Sequence, residues 1–598
     1  MSLPRVLVRR YDNDGRTYWL WGGRPAAVIA AYAHSEVLPA LAEVERAVQT
    51  GLSAVGFVAY EAARGFDKAF PEAQARLPLL WFGLYEQLGV SPHPLTPSPA
   101  VWERGKSGVV RWQSTLSPSA YYCAVQRIRD YIEAGDVYQV NYSFRLRTTM
   151  LADSATLLQL FCQLYAAQPV PYAAYIDTGE HVILSLSPEL FFALDGERIV
   201  SRPMKGTAPR GIVLEDDLKQ AQALRCSEKD RAENLMIVDM VRNDLGRIAA
   251  VGTVRVPKLF EVERYATLWQ MTSTVEAQTR ASLSEIFRAL FPAASITGAP
   301  KIRATQIIHA LETTPRGIYT GAIGVVLPER QAQFNVAIRT LCYDRATQQL
   351  EYGIGSGVVW DSEHQAEYQE CLTKAQVLLR PRPEFELLET LLWRAGRGYF
   401  LLEKHLQRLQ HSAEYFGFAF DEAAVRRLLK GAPQQHTAIE GLRVARCRLL
   451  LNRNGEARVE MSPLEPKPKL WRVALAPEPI DLSDVFLYHK TTHRAVYERK
   501  RAACPDYDDV ILWNPHGEIT ESTIANVVVR LEGKLYTPPV ACGLLGGVYR
   551  QHLLERGTIH ERIITIEEFL KAEAVYLINS VRGWVRVRLE VVDSLQDY

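Results

Sequence analysis

Apolar positions in this chain change period many times. Tyr121, Val125, Ile128 and Ile132 recur at helical spacing behind Ser117-Pro118, with proline suited to a first helical turn, and Gly135 stops the run. Glu228–Leu245 reads as a strong helix with Leu235, Val238 and Val241 as its stripe and Gly246 at its end. Further helices are expected near Ser35–Val48, after a cap at Asp361-Ser362, and up to Phe416-Gly417. Strand-like runs lie between them: Gly56–Tyr60, Leu79–Tyr85, Val137–Arg147, Leu190–Leu194 and Arg198–Ser201, the last two joined by an Asp195-Gly196 turn. Residues 89–108, rich in proline and serine, read as a loop.

The texture changes at Arg380–Pro383, RPRP, where two prolines remove backbone donors and stop the preceding helix. Beyond it come strands at Phe385–Leu392 and Leu442–Leu451, then a strand-rich stretch with turns at Asn514–Gly517 and Glu532-Gly533. The organisation expected is an N-terminal part at 1–110, a strand–helix domain at 111–380, a linker at 381–383 and a C-terminal domain at 384–598.

With 598 residues the chain is too long for one core, and a net charge of +1 gives no electrostatic reason to expect nucleic acid or an anionic membrane as partner. There is no signal-peptide pattern at the start and no apolar run near the ~20 residues of a membrane span, so the chain reads as cytoplasmic. The eight cysteines are scattered without C-x-x-C, which points to thiols rather than disulfides or structural zinc.

Candidate chemistry in the first part centres on Ser201–Gly211, SRPMKGTAPRG, where Lys205 is expected at the point where a strand gives way to a glycine-containing loop. Alone, such a lysine is a surface residue. Its company is Gln139–Ser143, Ser187-Pro188-Glu189, ITGAPK at Ile296–Lys301, RGIYTG at Arg316–Gly321, AIRT at Ala337–Thr340, GIGSG at Gly353–Gly357, and a helix on which Glu367, Glu370 and Lys374 share a face. In this order these stretches resemble the chorismate-utilising enzymes, strongly over about 110–380 and weakly before. The resemblance implies a fold with a large two-layered antiparallel sheet around a buried site. It implies Mg²⁺ held by Glu233 and Glu370 with Glu367 in support, and chorismate carboxylates met by Arg339, Lys374, Tyr319 and the loop of Gly353, Gly355 and Gly357. Glu189 would be the acid that helps the ring hydroxyl leave, and Thr297 would orient that hydroxyl. Lysine at 205, where anthranilate-forming relatives carry alanine, implies covalent attack on ring C2 before ammonia adds at C4. As an amine it needs a pKa well below the usual ~10.4, through burial or a cationic neighbour. Gln270 stands where many relatives have histidine and cannot carry a proton at neutral pH. No G-x-C-x-G surrounds any cysteine, so ammonia would come from a separate glutamine amidotransferase subunit.

The last third carries LLEKHLQRL at Leu401–Leu409, YHKTTHR at Tyr488–Arg494, GEITESTIAN at Gly517–Asn526 and GLLGGVYR at Gly543–Arg550. These resemble the fold-type IV pyridoxal 5'-phosphate enzymes, built of two α/β subdomains. By that resemblance Lys490 is the Schiff-base lysine, Glu521 faces the pyridine nitrogen, and Arg408, the backbone at Val548 and Tyr549, and Ser580 hold phosphate; a homodimer through this domain is also raised. K-T-x-x-R lies nearer to 4-amino-4-deoxychorismate lyases than to aminotransferases. Together the halves imply an enzyme that aminates chorismate and then releases pyruvate to leave 4-aminobenzoate. Two other readings are an anthranilate-type synthase with an aminotransferase-like tail, opposed by Lys205, and a cofactor-free dimerisation module, opposed by joint retention of Lys490, Glu521 and Arg408.

Overall fold

The computed structural model describes residues 3–11, 16–73, 76–92, 112–379, 383–435, 441–464 and 470–590. Most of the loop read at 89–108 and residues 380–382 of the RPRP stretch lie outside these. The chain forms two compact units, one of residues 1–209 and 221–382, the other of 210–220 and 383–598.

The first unit is built on two ten-stranded sheets. In one, Gln139–Thr149 pairs antiparallel with Gln349–Val358, which continues through Thr340–Asp344, His181–Ser187 and Tyr172–Asp177 to Val6–Tyr11. The other ends in Met204–Pro209, paired to Leu268–Gln278, followed by Arg198–Arg202, Leu190–Asp195, Gln331–Val336 and Ala322–Leu327. Val6, Val8, Ile176 and Ile183 of one sheet pack against Val55, Phe57, Ile323 and Val325 of the other, forming an apolar layer between them. Each sheet's outer face is covered by helices. Pro118–Glu133 and His364–Leu379 cover the first, and His34–Gln49, Glu228–Gly246 and Leu283–Leu290 the second.

The helix signals correspond to real caps. Ser117 Oγ accepts from Ala120 N, and Ser227 caps Glu228–Gly246 by accepting from Asp230 N. The inner face of that second helix is Asn234, Ile237, Val238, Val241 and Leu245, a proper i, i+3, i+4, i+7 row, while Leu235 is 43% exposed. Two expectations about local structure need correction. Lys205 lies within the strand Met204–Pro209, at a register break between Met204 and Thr207 where Gly206 takes φ +92°, and not in a loop beyond it. Gly353–Gly357 is likewise the interior of a strand, with Gly353, Gly355 and Gly357 opposite Arg145, Ser143 and Asn141.

The second unit has a four-stranded antiparallel sheet, including Leu387–Arg394 and Val444–Leu451, packed on helices Leu402–Phe416 and Glu422–Gln435. Its eight-stranded sheet mixes parallel and antiparallel pairs and contains Asp509–Trp513, Ile519–Ser522, Asn526–Leu531 and Ala574–Asn579. Gly417, at φ +72°, ends the first of those helices in the left-handed conformation that glycine tolerates. None of the eight cysteines is joined to another in a disulfide. No helix among the described residues is long and apolar enough to cross a membrane.

Candidate active sites

The strand Gln349–Val358 organises the first site because three successive positions of one face, Gly353, Gly355 and Gly357, lack side chains. A Cβ at Gly353 would stand 2.2 Å from the Tyr319 ring, one at Gly355 would stand 2.5 Å from the Tyr142 carbonyl oxygen, and one at Gly357 would stand 2.4 Å from Lys205 Nζ. Lys374, on the helix His364–Leu379, donates from Nζ to Gly355 O at 3.1 Å. That carbonyl therefore faces away from the paired strand, and the Gly355 N–H with it. Tyr319, Lys374 and Lys205, far apart in sequence, meet on this one strand.

Lys205 is held from behind. Asn234 Nδ2 donates to its carbonyl at 3.2 Å and is itself fixed by Ser273 Oγ, which donates to Asn234 Oδ1 at 2.6 Å. Gln270 Nε2 donates to Gly206 O at 2.7 Å and its oxygen accepts from Thr207 Oγ1 at 3.2 Å, so the residue in the histidine's place braces the bulge that aims the lysine. The Glu233 carboxylate stands 3.6 Å from Lys205 Nζ, an anion where burial or a cationic neighbour was expected from sequence. Glu370 pairs with Lys374 at 2.6 Å; burial raises its pKa but Lys374, and Lys205 beyond it, hold it below the ordinary carboxylate value. Glu367 accepts from Ser362 Oγ at 2.6 Å. Among the described residues no three His, Cys, Asp or Glu side chains converge on one metal position.

Glu189 is buried, and burial pushes its pKa up to about 7 against the pull of Ser295, the Met204 N–H and Lys205. Ser295 Oγ donates to Glu189 Oε1 at 2.5 Å. Arg339 takes φ +50° and lies 5.8 Å from the Tyr265 ring centroid; burial lowers its pKa, and among the described residues no carboxylate pairs with it. Thr297 is wholly buried, its hydroxyl donating to the Ala293 carbonyl at 3.0 Å, which leaves it an acceptor for anything further. Sequence reasoning singled out Gln139 only as part of a motif. Its side-chain amide is buried with neither atom in a hydrogen bond, and Nε2 stands 2.9 Å from the same empty Cβ position at Gly357 that Lys205 fills. An unsatisfied buried amide is visible only once the strands are paired.

The second site is a cavity of about 340 Å³ lined by Lys490, Glu521, Arg408, Val548, Tyr549 and Ser580, so every residue expected there is brought together. Burial first, then Arg408 and Arg494, lower the Lys490 pKa to about 8. Glu521 is buried and raised to about 7; its Oε1 accepts from Tyr497 Oη at 2.8 Å and from Leu545 N at 3.2 Å. Val548 and Tyr549 open the helix Val548–Glu555, where unpaired N–H groups point outward. The preceding Gly547 has no room for a side chain, since a Cβ would stand 1.9 Å from Asn526 Oδ1.

Arg408 differs in detail from the open fork expected. Its Nε and Nη2 donate to the two oxygens of Glu389 at 2.8 and 2.7 Å, leaving Nη1, 3.2 Å from Gly546 O, on the cavity side. Glu389 is fully buried, and although burial opposes its charge, Arg408 and His405 hold its pKa near 2. Neither Glu389 nor His405 carried a signal, since each looks like an ordinary residue of a strand or a helix. Arg446, Arg448, Arg494 and Arg582 also line the cavity and give it a positive rim.

Comparison with known proteins agrees with this division. Residues 386–589 match the amino-transferase class IV family. Aminodeoxychorismate synthase component 1 of Escherichia coli is 42% identical over 271 residues, 45% of this chain and 59% of that protein. Its counterpart in Salmonella typhimurium is 37% identical over 352 residues, 55% of this chain and 76% of that protein. The crystal structure of anthranilate synthase component I from Streptococcus pneumoniae superposes with a TM-score of 0.51 at 25% identity, covering 64% of this chain and 93% of that one. With residues 9–380 matching the model for chorismate binding enzymes, the chain belongs to the chorismate binding enzyme family and carries a class IV aminotransferase-type domain behind it.

Proposed function

We propose that the first unit aminates chorismate at C4, giving 4-amino-4-deoxychorismate, and that the second removes pyruvate from that product to leave 4-aminobenzoate. The observation that carries this reading is the Lys205 amine standing in the space left by the missing side chain of Gly357. A nucleophile is thus delivered to the floor of a site whose other groups suit a dianion. Arg339 is desolvated and among the described residues no carboxylate pairs with it, and Lys374 reaches from its helix to the Gly355 carbonyl, beside the outward N–H of Gly355.

In this reading Lys205 attacks ring C2 while the C4 hydroxyl departs, and Glu189 gives that hydroxyl its proton, so water leaves. A carboxyl raised to about 7 still holds a proton at neutral pH, as an acid must. Ammonia then bonds to C4 and the C2–N bond to Lys205 breaks. Glu233 and Glu370 supply hard oxygen donors beside Lys205 and would hold Mg²⁺ with water and substrate completing its shell, while Glu367 is bonded to Ser362 and steadies the helix start. The metal would neutralise a substrate carboxylate. Ammonia would be supplied by a separate glutamine amidotransferase, as the component 1 relatives' names support.

In the second unit Lys490, partly neutral near pH 8, would be the residue that holds the cofactor and is suited to take the proton from C4 of the amino product. Val548, Tyr549 and Ser580 would hold the phosphate of pyridoxal phosphate, and Glu521 its ring nitrogen. When bound, that cofactor supplies an electron sink for the charge left at C4. The arginines of the rim attract a substrate with two carboxylates. The test is chromatography of chorismate incubated with the protein, Mg²⁺, ammonia and pyridoxal phosphate. Formation of 4-aminobenzoate with stoichiometric pyruvate supports the reading; anthranilate as the product would overturn it.

A further inference from the structure

Arg210–Gln220 follows directly on the strand that carries Lys205, yet it belongs to the second unit. Its attachment is not that of a surface loop. Arg210 donates from Nε and Nη2 to the two oxygens of Asp217 at 2.6 and 2.7 Å, and the Asp217 side chain has no exposure to solvent. The guanidinium lies 4.5 Å from the Tyr415 ring centroid and also donates to the Tyr415 carbonyl at 2.8 Å. The Tyr415 hydroxyl in turn donates to Gly211 O at 2.7 Å. Position 211 has no room for a side chain, because a Cβ would stand 2.2 Å from Asp217 N.

The segment then reaches the residue next to Lys490. His489 Nε2 lies 3.1 Å from the Ile212 carbonyl, its Nδ1 lies 3.0 Å from Ser412 Oγ, and its ring stacks on Tyr415 at 4.3 Å. A carbonyl can only accept, so the ring proton sits on Nε2 and Nδ1 accepts from Ser412, which fixes both tautomer and orientation. On the other side, Lys490 O accepts from Leu388 N at 3.0 Å. The backbone at Lys490 is thus pinned from two directions, one of them supplied by residues 210–220.

We propose that Arg210–Gln220 is a positioning element of the second site: through Ile212 and Tyr415 it locks the His489 ring and thereby the placement of the Lys490 amine. This rests on the reading of Lys490 as the cofactor lysine. It gives the sequence of the chorismate-binding half a share in the pyridoxal phosphate chemistry, so an activity cut out at 383–598 would lack part of its support.

Two variants of the full chain test it. His489→Phe keeps a ring to stack on Tyr415 but removes the bond to Ile212; Arg210→Lys keeps the charge but removes the two-pronged bond to Asp217. Each is measured for the visible absorbance of lysine-linked pyridoxal phosphate against pH, for kcat and KM of pyruvate release from 4-amino-4-deoxychorismate, and for chorismate consumption. Misplacing a reacting amine by about 1 Å lowers kcat by roughly tenfold to a hundredfold, so that loss is expected with KM within about twofold. The absorbance titration should shift, and chorismate consumption should stay at the wild-type rate. Variants that melt earlier but titrate and turn over like wild type would make the segment a mere brace and overturn the proposal. If wild type itself shows no lysine-linked absorbance, the reading of Lys490 fails first and this proposal with it.

Discussion

Lys205 and Lys490 are both proposed to work as free amines, but their surroundings differ in sign. Lys205 pairs with the Glu233 carboxylate, on the helix that also braces the lysine's backbone through Asn234. Lys490 lies in a buried cavity where Arg408 and Arg494 add to desolvation in disfavouring its ammonium. The surroundings of the second site therefore make the neutral lysine easier to reach before any ligand arrives. The first has its lysine aimed by a bulge and an absent side chain, with carboxylates nearby whose own proposed task is to bind a cation. In the proposed reading one site prepares its lysine by electrostatics and the other by shape.

The largest effect should come from breaking the electrostatically prepared side. Lys490→Ala removes both the attachment point and the base, so pyruvate release should fall at least about 10³-fold while chorismate is still consumed. Chromatography over time should show 4-amino-4-deoxychorismate accumulating, and unchanged pyruvate release would mean Lys490 is not the cofactor lysine.

Lys205→Ala should lower amination at C4 by about 10²- to 10⁴-fold, with any residual product aminated at C2 because the group that blocks C2 is gone. A variant that makes 4-amino-4-deoxychorismate at the wild-type rate would remove the covalent role and half of the comparison.

A smaller effect should follow pH. Glu189 has its pKa raised to about 7, so it is protonated below that value and loses its proton above it. As an acid it is active in the protonated form, so kcat for chorismate should fall about tenfold per unit on the alkaline side of that pKa. Glu189→Gln should be slow at every pH and should lose this limb. A flat profile from pH 6 to about 8.5 in wild type would exclude Glu189 as the proton donor.

The smallest effect sharpens the claim about shape. Gly357→Ala places a methyl 2.4 Å from Lys205 Nζ, which is the far end of a flexible side chain and can move aside. The fold should tolerate this, with the melting temperature unmoved, while amination slows about tenfold from the displaced amine. Gly355→Ala is the control, since its methyl would meet the Tyr142 carbonyl at 2.5 Å and should lower the melting temperature instead.

Much of the helix and strand pattern was legible because it is local. The caps at Ser117 and Ser227 and the stop at Gly417 need only their own neighbours. The identities of the site residues were legible through motif order, but not what each one touches. Arg408 reads as an open fork until Glu389, nineteen residues earlier, is seen closing on it. The Gly353–Gly357 stretch reads as a loop because glycines weaken strand propensity, and ten paired positions against Gln139–Thr149 override that preference. Arg210 and Asp217 carry no signal in the sequence, since the partner that meets the Arg210 guanidinium, Tyr415, lies some two hundred residues away. Leu235 was placed in the stripe of its helix by hydrophobicity, although it lies one residue off the row that faces the sheet.

The glycine face of Gln349–Val358 also bears on how the sheet finds its alignment. A strand with hydrogen atoms in place of side chains on one face has little there to resist sliding by one position along its neighbour. The opposite face answers this, for Leu350, Tyr352, Ile354 and Val358 alternate with the glycines and are all buried in one cluster. Sliding by one position would swing those bulky groups into the hollow of the proposed site and leave the core to glycines, and both errors are costly at once. The alternation that hollows out the proposed place for substrate is thus also a ratchet against misalignment, and a glycine on this strand can be replaced only at the expense of that hollow, while a bulky residue beside it can be trimmed only at the expense of the alignment.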